Sequence, residues 1–245
     1  MFVPSLLVIL GFMFVHINTH YIKFLNTPQK NVLLSLVSGG SIAYVFLHLV
    51  PELAHYEVVV EKAHLPLLFE HLDYFAYLLA LLGIALFYGI DKLNDKSQRK
   101  NENEKNLTRP QEHIFILHIL TFALYNGLLG YLLPYLSGDN IAAYVVYFIV
   151  FSFHFIANSR VLHLTHEDLY IKAGRWILAF SVLVGWLLNE LTHTSALTIA
   201  ILSSFLTGGV ILNILNDELP EQKKSSFLAF SVGLISIGGL LQLIL

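Results

Sequence analysis

The sequence predicts an all-α membrane protein of eight transmembrane helices, with an inverted repeat relating spans one to three to spans six to eight around a central pair, four and five. Three observations predict it. Hydrophobic residues make up 56% of the chain and charged residues 13%, whereas about a quarter of a soluble domain is charged. Eight apolar runs are long enough to cross a hydrocarbon core about 30 Å thick. A Gly-Gly pair followed at the same spacing by Pro-Glu occurs twice, in Ser38-Gly39-Gly40 to Pro51-Glu52 and in Thr207-Gly208-Gly209 to Pro220-Glu221.

The spans follow in order. The opening run, 2–18, lacks the basic start and small-residue cleavage site of a secretory signal, so it reads as a retained span. Runs 32–51 and 72–90 complete the first group. In run 32–51 the glycine pair admits a close neighbour, and the proline is tolerable because the helix is stopping there. Residues 91–112 turn to Lys, Asn, Glu, Gln and Arg with hardly an apolar side chain, as in a solvated, flexible linker. The central spans are 113–136 and 141–160, joined by the tight turn Ser137-Gly138-Asp139-Asn140 and followed by a polar stretch from Val161 to Gly174. Spans 176–189, 194–216 and 227–245 close the chain, and the whole reads as one polytopic domain.

Basic residues fix the orientation. With eight spans, thirteen of the fourteen Lys and Arg residues fall on one side, Lys62 alone on the other. Both termini are therefore expected outside and the linker in the cytoplasm, the membrane being the plasma (inner) membrane. A glycosylation pattern at Asn106-Leu107-Thr108 falls on the cytoplasmic side and is discounted. Span two then runs outward and span seven inward, so the two Gly-Gly copies form an inverted pair, as in many transporters.

Composition excludes several chemistries. There is no cysteine, so disulfides, iron–sulfur clusters and thiolate zinc sites are out, and any metal is held by nitrogen or oxygen. The net charge of −3 carries no signal for nucleic acid.

Polar side chains inside spans are costly and mark function by default. Span four carries His118, Tyr125 and Asn126. Span five carries His154 and Asn158, one turn apart on one face. His118, Asn126, His154 and Asn158 all fall in the inner half of the membrane or near mid-depth, where they can meet. Neutral His and Asn serve equally as interhelical hydrogen-bonding groups. His48 and Glu52 in span two mark an outer mouth, and Asn213, Asn216 and Asp217 in span seven an inner one. Glu57, Glu61, Glu70 and Asp73 with His55, His64 and His71 make the outer loop acidic and His-rich, which concentrates cations or is plain solvated loop. On the inner side His163, His166, Glu167 and Asp168 read chiefly as a solvated charged loop. His163 and His166 share a face there if that segment is helical.

The layout resembles the ZIP (Zrt/Irt-like) metal permeases. The similarity is carried by Gly39-Gly40 through His48-Leu49-Val50-Pro51-Glu52, like that family's second span, and by Thr207 through Pro220-Glu221 running on into Gly233 and Gly238-Gly239, like its seventh and eighth. Lys172-Ala173-Gly174 sits where the family's chain turns after span five. The resemblance implies eight spans with both ends outside and transport of a divalent metal such as zinc past spans four and five. It implies no resident cofactor and no enzymatic activity. The departure is at the site. Registering the family's His-Asn-x-x-Asp-Gly on Asn126-Gly127 puts Phe122 and Ala123 at its first two ligand positions. Registering its His-Glu-x-x-His-Glu on His154 puts Phe155, Asn158 and Ser159 at the rest. The expected metal set is thus His154, Asn126 and Asn158 with His118 as a substitute ligand, mostly neutral and therefore weak. Expected partners are the bilayer and a divalent ion as substrate, with a homodimer left open. The rival reading is a relative that has lost zinc transport and carries another solute or acts as a membrane partner. An intramembrane metal hydrolase needs several ligands at one depth, and His48 lies toward the opposite face from His118 and His154.

Overall fold

The computed structural model describes residues 2–22, 30–63, 72–103, 109–137, 140–218 and 225–244. Among them every regular element is helical, and eight helices are long and apolar enough to cross a membrane. The elements are α1 (Phe2–Asn18), α2 (Lys30–Tyr44), α3 (Val50–Lys62), α4 (Phe75–Asn103), α5 (Arg109–Ser137), α6 (Ile141–Thr165), α7 (Glu167–Leu169), α8 (Arg175–Leu191), α9 (Ala196–Asn213) and α10 (Phe227–Ile244). Large apolar side chains such as Leu7, Phe14, Phe46, Leu81, Phe180 and Leu228 face outward, which suits contact with a lipid bilayer.

Several boundaries differ from those expected. Span two does not stop at Pro51: the helix runs through it to Lys62, by way of a π-helical turn at Val45–Leu49. Proline has no N–H and its ring crowds the preceding carbonyls, and a widened turn accommodates both effects without ending the helix. The second Gly-Gly copy enters a π-helical turn at the corresponding place, Ile214–Glu218; its Pro220-Glu221 lies outside the described residues, as do His64, Glu70 and His71. The expected linker is mostly helix, because α4 runs on to Asn103 and α5 starts at Arg109. The stretch after span five is likewise helical to Thr165 and broken only at His166, with φ −140° and ψ 56°. From there α7 and a π-helical turn at Tyr170–Gly174 lead directly into α8, so the sixth apolar segment is Glu167–Leu191 rather than the short 176–189.

Glycines decide which helices touch. A Cβ on Gly39 would stand 2.0 Å from the carbonyl oxygen of Phe230, and one on Gly233 1.8 Å from that of Leu36, so α2 and α10 are in backbone contact. A Cβ on Gly208 would stand 1.9 Å from the Ala80 oxygen, and one on Gly83 2.2 Å from that of Phe205, so α9 and α4 pack the same way. The two sets correspond residue by residue. Leu36 precedes Gly39 as Phe205 precedes Gly208, and Phe230 precedes Gly233 as Ala80 precedes Gly83. The central helices use the same device: a Cβ on Gly185 would meet the Gly127 oxygen at 1.8 Å, joining α8 to α5, while Gly11 admits the Phe148 ring, joining α1 to α6.

Glu57, grouped by sequence with the solvated acidic loop, is buried. Its carboxylate accepts the backbone N–H groups of Phe75 at 3.0 Å and Ala76 at 2.7 Å. It therefore caps α4 from a distant helix, satisfying N–H groups that have no partner within their own helix. Tyr74, immediately before, has φ 63°, a left-handed turn that aims those groups at the carboxylate.

Candidate functional site

A buried polar network lies where α1, α5 and α6 meet. On α6, Nε2 of His154 is 2.7 Å from the Tyr125 hydroxyl and 3.0 Å from Nδ2 of Asn158. The Asn158 amide N–H donates, so Nε2 accepts there. On α1, Nε2 of His16 accepts from Nδ2 of Asn126 at 3.1 Å, and its Nδ1–H donates to the Ser159 hydroxyl at 3.1 Å. None of His16, Asn126, His154, Asn158 and Ser159 is more than 2% exposed. The amide oxygens of Asn126 and Asn158 have no hydrogen-bond partner among the described residues, although an unpaired buried acceptor costs about 1–3 kcal/mol. Two imidazole nitrogens and two unpartnered carbonyl oxygens thus share one buried part of the bundle. None of the five residues is an Asp, Glu, Lys or Arg.

Three of the four expected ligands, Asn126, His154 and Asn158, belong to this network. His118 does not: its ring packs on Phe122, centroids 4.9 Å apart, beside the separate cluster of Phe115, Ile119, Leu162 and Tyr170, and its Nδ1 has no partner. The place expected for it is filled by His16, which sequence reading passed over. A signal was there, since His16 is the one ionisable side chain in the first apolar run. Phe155, which packs on the His16 ring with centroids 4.5 Å apart, and Ser159 stand where the ZIP pattern has carboxylates. The first helix therefore packs its one histidine directly on these two positions.

The two expected mouths are separate from the network. His48 and half-buried Glu52, at and after the π-helical turn of span two, line a cavity of about 270 Å³ with Tyr44, Tyr135, Ser137, Asn140 and Tyr147. The ring of Phe151 packs near two of the cavity's tyrosines and near His154. Its centroid is 5.7 Å from that of Tyr44, 4.3 Å from that of Tyr147 and 5.9 Å from that of His154. At the other mouth Asn213 is buried with Nδ2 unpartnered and Asn216 is exposed; the Asp217 side chain lies outside the described residues. Next to that end His163 and His166 do not share a helical face, because the helix ends between them. The His163 ring lies near those of His20 and Tyr170. His166 lies against Phe115, and burial holds it below its ordinary pKa.

Among the described residues no group of three or more His, Cys, Asp or Glu side chains is placed to hold a metal ion. No family model matches the chain, and comparisons with curated proteins and with solved structures return no match. The ZIP resemblance therefore rests on the residues quoted for it.

Proposed function

We propose that this protein is a ZIP-like membrane transporter of divalent metal ions such as zinc, with a weakened site at mid-membrane. The observation that carries this reading is the buried network, in which His16 and His154 direct lone pairs and Asn126 and Asn158 leave carbonyl oxygens unpartnered. Imidazole nitrogen suits zinc and amide oxygen suits harder divalent ions. A set without carboxylates opposes little of a dication's charge, so binding is weak and release fast. Supporting the scaffold is the reciprocal glycine packing of α2 on α10 and α9 on α4, the pattern expected if spans one to three and six to eight are related by a two-fold axis in the membrane plane. In this reading both termini are outside, the segment around Lys100 is cytoplasmic, the ion enters past Glu52 and His48, and it leaves past Asn213, Asn216 and Asp217.

A second reading is favoured by one specific observation: Nε2 of each histidine is already engaged by a donor. The network then locks three helices together, and the scaffold carries another solute. Zinc uptake into proteoliposomes separates the two. The transport reading expects low-affinity uptake that His154→Ala and His16→Ala each reduce at least tenfold, with His163→Ala near wild type. Absence of uptake by the wild type, or uptake indifferent to both substitutions, establishes the second reading.

A further inference from the structure

The outward-facing rim of the bundle holds a fixed cation where the first span meets the sixth. Arg175, half-buried at the start of α8, donates through Nη1 to Nε2 of His20 at 3.0 Å and to the Ile17 carbonyl oxygen at 3.5 Å. A guanidinium has no acceptor, so Nε2 of His20 is unprotonated. The guanidinium also lies over the Trp176 ring, 5.2 Å from its centroid, a further contact that holds it. Nε is covered and Nη1 is taken, which leaves Nη2 open. No Asp or Glu among the described residues pairs with Arg175.

The surroundings add charge of the same sign and an apolar strip. Lys172, three residues earlier, is exposed and likewise pairs with no described carboxylate, while Glu167 and Asp168 are exposed on α7, nearer the polar end of the segment. Residues 22–29, which follow the first span, include Lys23 and no Asp or Glu. Tyr21 and Trp176 are 67% and 41% exposed, and the His20 ring lies against that of Tyr21, centroids 3.8 Å apart. Deeper along the same two helices the exposed surface is apolar. Phe180 is stacked with Trp176 on α8, and Phe14 lies two turns before Tyr21 on the same face of the first span. Exposed Tyr and Trp at such a boundary mark the level of the lipid headgroups.

We propose that the junction of α1 and α8 is a binding site for an anionic phospholipid, its phosphate held by Arg175 and Lys172 and an acyl chain lying along Trp176 and Phe180. Arginine suits phosphate, and a guanidinium already fixed by His20, Ile17 and Trp176 loses little freedom when it binds one. Basic pockets between membrane helices at the cytoplasmic end bind anionic headgroups in this way. A soluble anion would meet the same charges but would leave the apolar strip unused. The site lies outside the buried network of His16 and His154, so it stands whether or not the core of the bundle carries an ion.

Tryptophan fluorescence tests this, because the chain has two tryptophans and Trp186 is buried, so a lipid at this junction is reported by Trp176. The full-length protein is reconstituted into vesicles of phosphatidylglycerol or phosphatidylcholine with brominated chains, which quench an indole they touch. The wild type is expected to prefer phosphatidylglycerol at least threefold. Arg175→Gln is expected to abolish the preference, Lys172→Gln to reduce it at least twofold, and Lys92→Gln to leave it unchanged. Lys92 is exposed beside Tyr88 at the same end of the bundle, so it measures the effect of diffuse charge. The Lys172 side chain makes no hydrogen bond among the described residues, so its variant is expected to fold even where Arg175→Gln does not. Equal quenching by the two lipids, or a preference that survives in Arg175→Gln and Lys172→Gln, overturns the proposal. An equal loss in Lys92→Gln also overturns it, by identifying diffuse surface charge, as does loss of the preference in excess inorganic phosphate, which identifies a site for a soluble anion. Zinc uptake is read separately, so failure of the transport reading leaves this result as it stands.

Discussion

Replacing Gly39 by alanine places a Cβ 2.0 Å from the carbonyl oxygen of Phe230, and replacing Gly208 places one 1.9 Å from that of Ala80. Ordinary contact begins at 3.4 Å, so the paired helices must part locally by about 1.4 Å in the first case and about 1.5 Å in the second. Neither obstacle is a flexible side chain; both are helix backbone. Overpacking of this kind costs up to about 3 kcal/mol, against which the better helix propensity of alanine returns about 1 kcal/mol. The net loss is about 2 kcal/mol, which for a chain of this size lowers the melting temperature by about 4–8 °C. Gly89 and Gly239 have nothing within 4 Å of an added Cβ, so alanine there leaves the melting temperature unchanged or slightly raised. Thermal unfolding in one detergent, followed by circular dichroism, compares all four. The reasoning fails if Gly39→Ala melts with the wild type. The correspondence of the two glycine pairs fails if Gly39→Ala and Gly208→Ala differ by more than the spread of the two controls.

Two further expectations concern the frame of the site. Glu57→Gln keeps one acceptor oxygen for the N–H groups of Phe75 and Ala76 and loses the charge, which weakens the cap of α4 by about 1–2 kcal/mol; a melting temperature equal to wild type would remove Glu57 from that role. A reporter inserted near Lys100 is expected to be cytoplasmic while both ends of the chain are accessible from outside, and labelling of that reporter from outside intact cells would contradict the orientation.

The number of helices was legible because each apolar run had to cover a hydrocarbon thickness, and polar stretches separate the runs. Helix ends were less legible. Polarity reads as the end of a helix at 91–112 and at Val161 to Gly174, but a helix leaving a membrane can run on in water when its side chains favour it. Pro51 reads as a stop only while the cost of a missing N–H is counted without the widened turn that relieves it. At the site, Asn126, His154 and Asn158 could be found because two lie a turn apart on one helix and all are rare residues for their setting. His118 satisfies the same rule of rarity and yet packs on Phe122 away from the network, since periodicity gives a face but not what the face meets. His16 was missed for the complementary reason: one polar residue in a span shows no pattern, and only the packing of α1 against α6, through Gly11 and the ring of Phe148, brings it to Ser159.

Phe155 and Ser159 link these features, because both touch His16. A carboxylate at either position would have to be paired or desolvated at high cost, whereas a phenyl ring and a hydroxyl pack there without charge. The ring they meet, His16, comes from a helix that carries no other ionisable group. Phe155 and Ser159 of α6 and His16 of α1 are therefore parts of one packing arrangement. It leaves two imidazoles at the centre, while the Glu52 carboxylate lies outside the network, at the cavity by the π-helical turn of span two. If the protein is the transporter proposed above, a charge at the mouth and uncharged donors inside would concentrate cations at entry and hold them only briefly within. The same distribution explains why exchanging Asn158 for a carboxylate is not a simple gain: Asn158→Asp would place an unpaired charge against a fully buried neutral network. Its expected effect is a lower melting temperature in metal-free buffer that added zinc restores, whereas in a network serving only to lock helices added zinc would leave the loss in place.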